Sequence, residues 1–408
     1  MKNIFKISAV LIIAISLLSH YPIDGYRTTK IARLLYLQKL KGSGKLTRIP
    51  AGAMHDIDYV QLNLEKQSKK NVEDFLVKDD ELTKKIKSVL PKGNYSISVL
   101  DMTDADHIKY TAINENKGYQ PGSVGKLVVL NSFFTQLKKV YPNSWERRVE
   151  LLKDKRVTSR YWGVGDHHTI PVYDIEKDKL TRRKVVASDE FSLYEWLDHM
   201  VSVSNNGAAS IVYRETVLMS VFGKDYPQLT AEQSEEFFNS IKKDSLRNLS
   251  HSIINDPLRT LGIDKDEWRL GGPFTRNASG KVGRKEGSQA TPKGLMKFLI
   301  NLEQGKIVDK ESSLEMKRLI YLTDRRIRYA YSPKLKEAAV YYKSGSYYSG
   351  GSGKYMGTNF NYMNSVIIVE QPNGIKYAVC LETNVLGKNS ANDHYYLAGK
   401  IDDLLNPK

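Results

Sequence analysis

The apolar positions along the chain follow two rhythms. Phe75, Leu76, Leu82, Ile86 and Leu90 recur at helical spacing, which predicts a helix over Val72 to Leu90 that Pro91 stops. Tyr95 to Leu100 alternates as a strand. His107 to Ile113 predicts a second strand, with Thr103 to Asp106 as the turn between them. After Gln120-Pro121-Gly122-Ser123 comes the apolar stretch Lys126 to Val140, which predicts a buried helix. Ser192-Leu193-Tyr194-Glu195 has the form of a capping box opening another. Ala209 to Ile263 is helical by pattern. Ala338 to Tyr342, Ser365 to Glu370 and Lys376 to Thr383 read as three strands, the last two joined by the turn Gln371-Pro372-Asn373-Gly374. Leu397 to Leu405 reads as a closing helix. Two strands early and three late, with helices between, predict one antiparallel sheet completed by distant segments.

Composition narrows the class. Of the 408 residues, 41% are hydrophobic and 26% charged, which excludes a wholly disordered chain and a multi-span membrane protein. The single cysteine, Cys380, excludes an intrachain disulfide framework and any zinc site needing two cysteines. It reads as a small core residue in a strand. No internal repeat stands out.

Lys2 and Lys6 precede the apolar run Ile7 to Ser19, the order of a secretory signal. The run is shorter than the ~20 residues of a membrane-spanning helix. Residues 1–22 are therefore expected to be a signal peptide or membrane anchor, placing the protein in the periplasm or cell envelope. A buried strand or helix is the alternative. Residues 23–70 form a basic extension. Gly25 to His55 has no acidic residue but carries Arg27, Lys30, Arg33, Lys39, Lys41, Lys45 and Arg48. Ile31, Leu34, Leu35 and Leu37 lie among them on one helical face. Such a piece suits either an anionic membrane surface or a solvated linker with a short packed helix. The net charge of +16 is otherwise spread along the chain, which argues against nucleic acid as a partner. Nothing in the sequence specifies an oligomeric state.

Three short motifs carry the candidate chemistry: Ser123-Val124-Gly125-Lys126, Ser204-Asn205-Asn206 and Lys343-Ser344-Gly345. An isolated S-x-x-K means little, and Ser240 with Lys243 forms another in a charged helical stretch. Ser123 differs, because it follows Pro-Gly and opens an apolar helix. Three residues along a helix put Ser123 and Lys126 on one face. A serine hydroxyl needs an adjacent base to attack a carbonyl, and a lysine in an apolar, cationic site has its pKa lowered enough to serve. The helix N-terminus favours negative charge developing at the serine. Ser204 can relay a proton to a leaving nitrogen, Asn206 can hydrogen-bond a substrate amide, and Lys343 can hold a carboxylate from a strand edge. The three motifs, in this order and in these elements, point together to serine acyl transfer.

These motifs, with Gln120 to Lys126, Met200 to Ala209, Ala290-Thr291-Pro292 and Lys343 to Ser346, resemble the penicillin-recognising serine hydrolases, specifically their class A β-lactamase-like branch. The resemblance runs from about Gly93 to the C-terminus. It implies an α+β fold, an α/β/α sandwich in which a five-stranded antiparallel sheet is flanked by helices. Residues 71–408 would form the hydrolase domain, with an all-helical subdomain at about 123–300. It implies Ser123 as the acylated nucleophile, Lys126 as its base or proton relay and Ser204 as the proton shuttle. Asn206 would bind the substrate amide and Lys343 and Ser344 its carboxylate, with Gly345 and Ser346 also among the substrate-binding residues. The backbone N–H groups of Ser123 and Ser346 would form the oxyanion hole. No metal or organic cofactor is implied, and the partner is a β-lactam or peptidoglycan-like small substrate.

The chain departs from that pattern. Asn205 stands where class A enzymes usually have Asp, and insertions are expected within Val140 to Glu190 and Val217 to Asp264. The deacylating omega-loop glutamate is missing: Arg269 to Lys285 contains no acid and carries Arg269, Arg276, Lys281, Arg284 and Lys285, with Glu286 at the neck. That favours a long-lived acyl-enzyme over efficient lactam turnover. It raises a peptidoglycan carboxypeptidase, transpeptidase or endopeptidase, and a non-catalytic cell-wall or β-lactam sensor. The basic loop would favour an anionic substrate. Four weaker features complete the reading. His167-His168 is expected to be an exposed loop pair rather than a metal site. Tyr341, Tyr342, Tyr347, Tyr348 and Tyr355 are candidates for the pocket mouth. Gly350 to Lys354 reads as a loop, not a phosphate cradle. Asp324 to Arg328 reads as a charged helix end.

Overall fold

The computed structural model describes residues 24–45, 49–324, 326–352 and 356–407. The expected leader, Arg48, Arg325 and Tyr355 lie outside them. Five strands form one antiparallel sheet: β1 (Tyr95–Asp101), β2 (Lys109–Ile113), β3 (Ala339–Ser349), β4 (Phe360–Glu370) and β5 (Lys376–Asn384). Their order is β2-β1-β5-β4-β3, so the two early strands are completed by three from the far end of the chain.

The alternation along each strand divides the core in two. Val99, Tyr342, Ile367, Val379 and Leu381 face the terminal helices Asp80–Val89 and Ala391–Leu405, meeting Leu82, Ile86, Leu397 and Ile401. Tyr341, Val366, Ile368, Ala378 and Cys380 join the larger core on the other face. The helix Pro292–Glu303 covers that face, and beyond it lies the helical subdomain. At its centre runs the helix Lys126–Val140, packed against Asn206–Phe222 and Lys243–Arg259. Leu127, Val128, Val129, Leu130, Phe133 and Phe134 are all buried, and the helix meets water only near its C-terminal end, at Thr135, Lys138 and Lys139. Each such side chain contributes roughly 1.5–3 kcal/mol by leaving solvent, which makes this helix a rigid mount for whatever sits at its start.

Three expectations are corrected. The predicted helix over Val72 to Leu90 is a short 3-10 turn, Val72–Phe75, and a separate helix, Asp80–Val89. The break comes where Asp79 N–H bonds the Tyr110 carbonyl at 2.7 Å and the Asp79 side chain caps Leu82 N at 2.7 Å. The second strand starts at Lys109, leaving His107 in the turn. Strand β3 continues past Tyr342 to Ser349, pairing Lys343 with Val366 and Gly345 with Asn364. Its polar composition hid this continuation, because the ladder is a backbone property.

The basic extension is part of the body. Its helix Ala32–Gly42 follows Ile31, and Ile31 and Leu34 are 1% exposed within the main core. Arg33 forks onto both Asp198 oxygens at 2.6 Å and reaches the Leu322 carbonyl at 2.9 Å. Lys39 bonds Tyr173 and Asp178. The apolar side of this piece therefore meets the protein, as the packed-helix alternative requires. Among the described residues, no helix is long and apolar enough to cross a membrane.

Candidate active site

Ser123 sits in a 3-10 turn, Gly122–Gly125, that runs directly into the helix starting at Lys126. Two glycines bring strand β3 against this turn. Gly122 has φ +52°, and a Cβ there would lie 2.5 Å from the Ser346 carbonyl oxygen. A Cβ on Gly345 would lie 2.0 Å from the Pro121 oxygen. Only hydrogens at both positions allow so close an approach. On the third side, Ser204 takes a left-handed backbone, φ +60°, a strained conformation for a non-glycine residue. The next helix then begins at Asn206, capped by the Asn205 side chain at Ala208 N, 2.8 Å away. Asn205 also donates to the His168 carbonyl at 2.9 Å, so an amide serves this loop without the expected Asp.

These three segments converge on two lysines. Lys126 is fully buried, and its Nζ lies 2.8 Å from Ser123 Oγ, 3.2 Å from Ser204 Oγ, 2.6 Å from the Ser204 carbonyl oxygen and 2.8 Å from Asn206 Oδ1. Burial pushes its pKa down to about 7, partly opposed by the charge of Asp166. Deprotonated, the amine keeps two hydrogens, which suit the Ser204 carbonyl and Asn206 Oδ1. Its lone pair is then left to the Ser123 hydroxyl. Lys343 Nζ donates to Ser204 Oγ at 2.8 Å and to the Ser344 carbonyl at 2.9 Å. Burial, then Lys126 and Arg328, drive the Lys343 pKa well below its usual value. Ser204 Oγ thus stands between the two amines. All the residues anticipated from sequence come together here: Ser123, Lys126, Ser204, Asn206, Lys343, Ser344, Gly345 and Ser346.

A cleft of about 490 Å³ opens between Ser123 and the Lys343–Ser346 stretch, bounded by Ser204, Arg328 and His168. A second lobe of about 1090 Å³ meets it at Ser123 and His168 and is lined by Phe274, Arg284, Tyr347 and Tyr348. Tyr347 and Tyr348 are thus at the mouth, whereas Tyr341 and Tyr342 are buried.

Four contributors were not recognised in the sequence. Asp166 accepts from Asn206 N–H at 2.6 Å and from Asn206 Nδ2 at 3.1 Å, so it fixes the residue that in turn holds Lys126. Burial opposes its charge, but the bonds from His168 and Asn206 hold its carboxyl well below the usual carboxylate range. His168 bonds Asp166 through Nδ1 at 2.9 Å and lines both lobes. Only His167 is the exposed loop residue expected of the pair, at 82% against 22% for His168. Arg328 does not close the preceding helix, which ends at Tyr321: it opens the 3-10 turn Arg328–Tyr331, is half-buried, donates to the Gly345 carbonyl at 2.7 Å and lines the cleft. Phe274 lies over Lys126, with Nζ 5.2 Å from the ring centroid. Glu286 is drawn away to His251, Lys265 and Arg269.

Ligand atoms of Asp166, His167 and His168 lie within 4.8 Å of one another, the one such cluster among the described residues. Both Asp166 oxygens are already engaged by Asn206, so the trio reads as a hydrogen-bond network.

A family model described as the beta-lactamase enzyme family matches residues 81–395. A search of curated protein sequences returned no match. Among solved structures, the TLA-3 extended-spectrum beta-lactamase superposes with TM-score 0.53 at 17% identity, covering 80% of this chain and 98% of that one. A beta-lactamase from Chitinophaga pinensis gives 0.51 at 15% identity, with the same coverage of both chains. A class A beta-lactamase representative from Bacteroides cellulosilyticus gives 0.50 at 14%, covering 83% and 100%. At such identities the likeness shows the fold, and the fold agrees with a family match that spans most of the sequence: the chain belongs to the beta-lactamase enzyme family, among the penicillin-recognising serine hydrolases.

Proposed function

We propose that the protein is a serine hydrolase that forms an acyl-enzyme at Ser123 with a β-lactam or a related peptidoglycan-like amide or ester. The observation that carries this is the dry Lys126 amine, 2.8 Å from Ser123 Oγ with its pKa brought down to about 7. Neutral Lys126 takes the Ser123 proton as Oγ bonds the substrate carbonyl carbon. The C–N bond breaks, and the leaving nitrogen receives that proton through Ser204 Oγ, 3.2 Å from Lys126. Arg328 supplies positive charge beside the cleft for a substrate carboxylate, and Lys343, Ser344 and Ser346 offer hydrogen-bond donors at its edge. Arg284 and the tyrosines of the second lobe suit an anionic or aromatic substituent.

Hydrolysis of the acyl-enzyme needs a base for water. The Arg269 to Lys285 segment offers Phe274 to Lys126 rather than a carboxylate. Rapid lactam turnover through that loop is therefore not expected, and a carboxypeptidase or transpeptidase type of reaction suits the site better. The same feature favours a second reading, a sensor that retains its acyl group as a signal. The test is product analysis after incubation with benzylpenicillin and, separately, with a D-alanyl-D-alanine peptide, using Ser123→Ala as control. Product from the wild-type protein alone supports the hydrolase. A stoichiometric adduct with no product from either compound supports the sensor and refutes the hydrolase.

A further inference from the structure

We infer that His168, oriented by Asp166, is the general base that deacylates Ser123; the inference rests on the acyl-enzyme reading above. His168 Nδ1 is tied to Asp166 at 2.9 Å and 3.2 Å, which leaves Nε2 without a protein partner among the described residues. The ring lines both lobes where they meet at Ser123. Asp166 cannot swing freely, because Asn206 N–H and Nδ2 hold its carboxylate. A carboxylate that fixes an imidazole through Nδ1 and leaves Nε2 unpaired in a cleft shared with the nucleophile is the arrangement by which a histidine accepts a proton from water. The loop is itself anchored. The His168 carbonyl accepts from Asn205 Nδ2, so the serine loop and the histidine loop are held in one register. The same network runs from His168 through Asp166 and Asn206 to Lys126, which couples it to the acylating pair.

The step balances. Water gives a proton to His168 Nε2 as its oxygen bonds the acyl carbonyl carbon. The tetrahedral adduct then breaks its bond to Ser123 Oγ. Oγ recovers the proton from the imidazolium, which leaves a free acid, a neutral histidine and a restored serine. The titratable and charged groups around the ring are Asp166 and His167 on its own loop, Lys343 and Arg328, which line the first lobe with it, and Arg284, which lines the second. The guanidinium groups of Arg328 and Arg284 favour the oxyanion that forms in this step.

The test is a time course of intact-protein mass after mixing with benzylpenicillin, which separates adduct formation from decay. His168→Gln is expected still to form the adduct, and to lose it more slowly by a factor on the order of 10² or more. His167→Gln is the neighbouring control and is expected to decay at the wild-type rate. His168→Ala with added imidazole is expected to regain part of the decay, a rescue that a merely structural histidine would not show. Unchanged decay in His168→Gln, a wild-type adduct that never decays, or decay abolished by EDTA would each overturn the assignment. Absence of any wild-type adduct would instead refute the acyl-enzyme reading on which it rests.

Discussion

Replacing Lys126 by arginine isolates the feature on which acylation depends. Burial lowers the lysine from 10.5 to about 7, a change equivalent to about 5 kcal/mol of preference for the neutral amine. At pH 7 roughly half of the Lys126 population is then a free base, against roughly 0.03% for an unperturbed lysine, a gain on the order of 10³. Arginine keeps the charge and the hydrogen-bond donors but does not give up its proton. The assay is quenched-flow mass spectrometry of adduct formation with benzylpenicillin between about pH 5 and pH 9. The deprotonated form is the reactive one, so the wild-type rate should rise roughly tenfold per pH unit below about 7 and level off above it. Lys126→Arg should lose on the order of 10²–10⁴ in rate and the rising limb with it. A wild-type rate flat across this range, or Lys126→Arg acylating nearly as fast, would refute the reasoning. The same shift has a stability counterpart. The folded pKa lies below the unfolded one, so between about 7 and 10.5 the unfolded chain binds the extra proton and stability rises with pH.

Other consequences follow from single positions. Gly345→Ala places a Cβ 2.0 Å from the Pro121 oxygen, so β3 must shift from the serine turn; adduct formation should fall on the order of 10²-fold while circular dichroism stays near wild type. Arg33→Met leaves Asp198 buried and unpaired and should cost about 3–5 kcal/mol in urea unfolding, whereas a loss near zero would mean that the basic extension is not integral to the fold. Glu382 is buried on the middle strand with no protein partner for either oxygen among the described residues, and burial raises its pKa well above the usual value. The folded protein then keeps a proton that the unfolded chain releases, so stability falls as pH rises above the ordinary carboxylate range. Glu382→Gln should gain about 1–3 kcal/mol at pH 8 and almost nothing near pH 4, and an equal gain at both would contradict this account.

What the residues disclosed in advance depended on how far along the chain their partners lie. The nucleophile turn could be read because its chemistry is local: Ser123 and Lys126 are one helical turn apart, and the apolar helix behind them advertised its burial. The ordered motifs around Ser204 and Lys343 then identified the rest of the pocket. Asp166 and His168 could not be read in the same way. They lie on a loop far from Asn206 in sequence, and nothing local marks an Asp-His-His run as a hydrogen-bonded wall of a cleft. A buried aspartate reveals itself only through the partners that satisfy it. Arg328 was hidden for a related reason, since a charge-rich stretch suggests solvent while its partner, the Gly345 carbonyl, comes from a β-strand. The strand β3 beyond Tyr342 escaped the hydrophobic pattern because its inner face there carries the site, Lys343 and Gly345, in place of core residues.

The central claim is that Ser123 is an acylatable nucleophile driven by a neutral Lys126. Intact-protein mass spectrometry of the protein mixed with benzylpenicillin, followed by peptide mapping, tests it most directly. The account predicts a mass gain of one intact penicillin, mapped to Ser123 and absent in Ser123→Ala. An adduct on another residue, or none at any time with the penicillin left unconsumed, would contradict it.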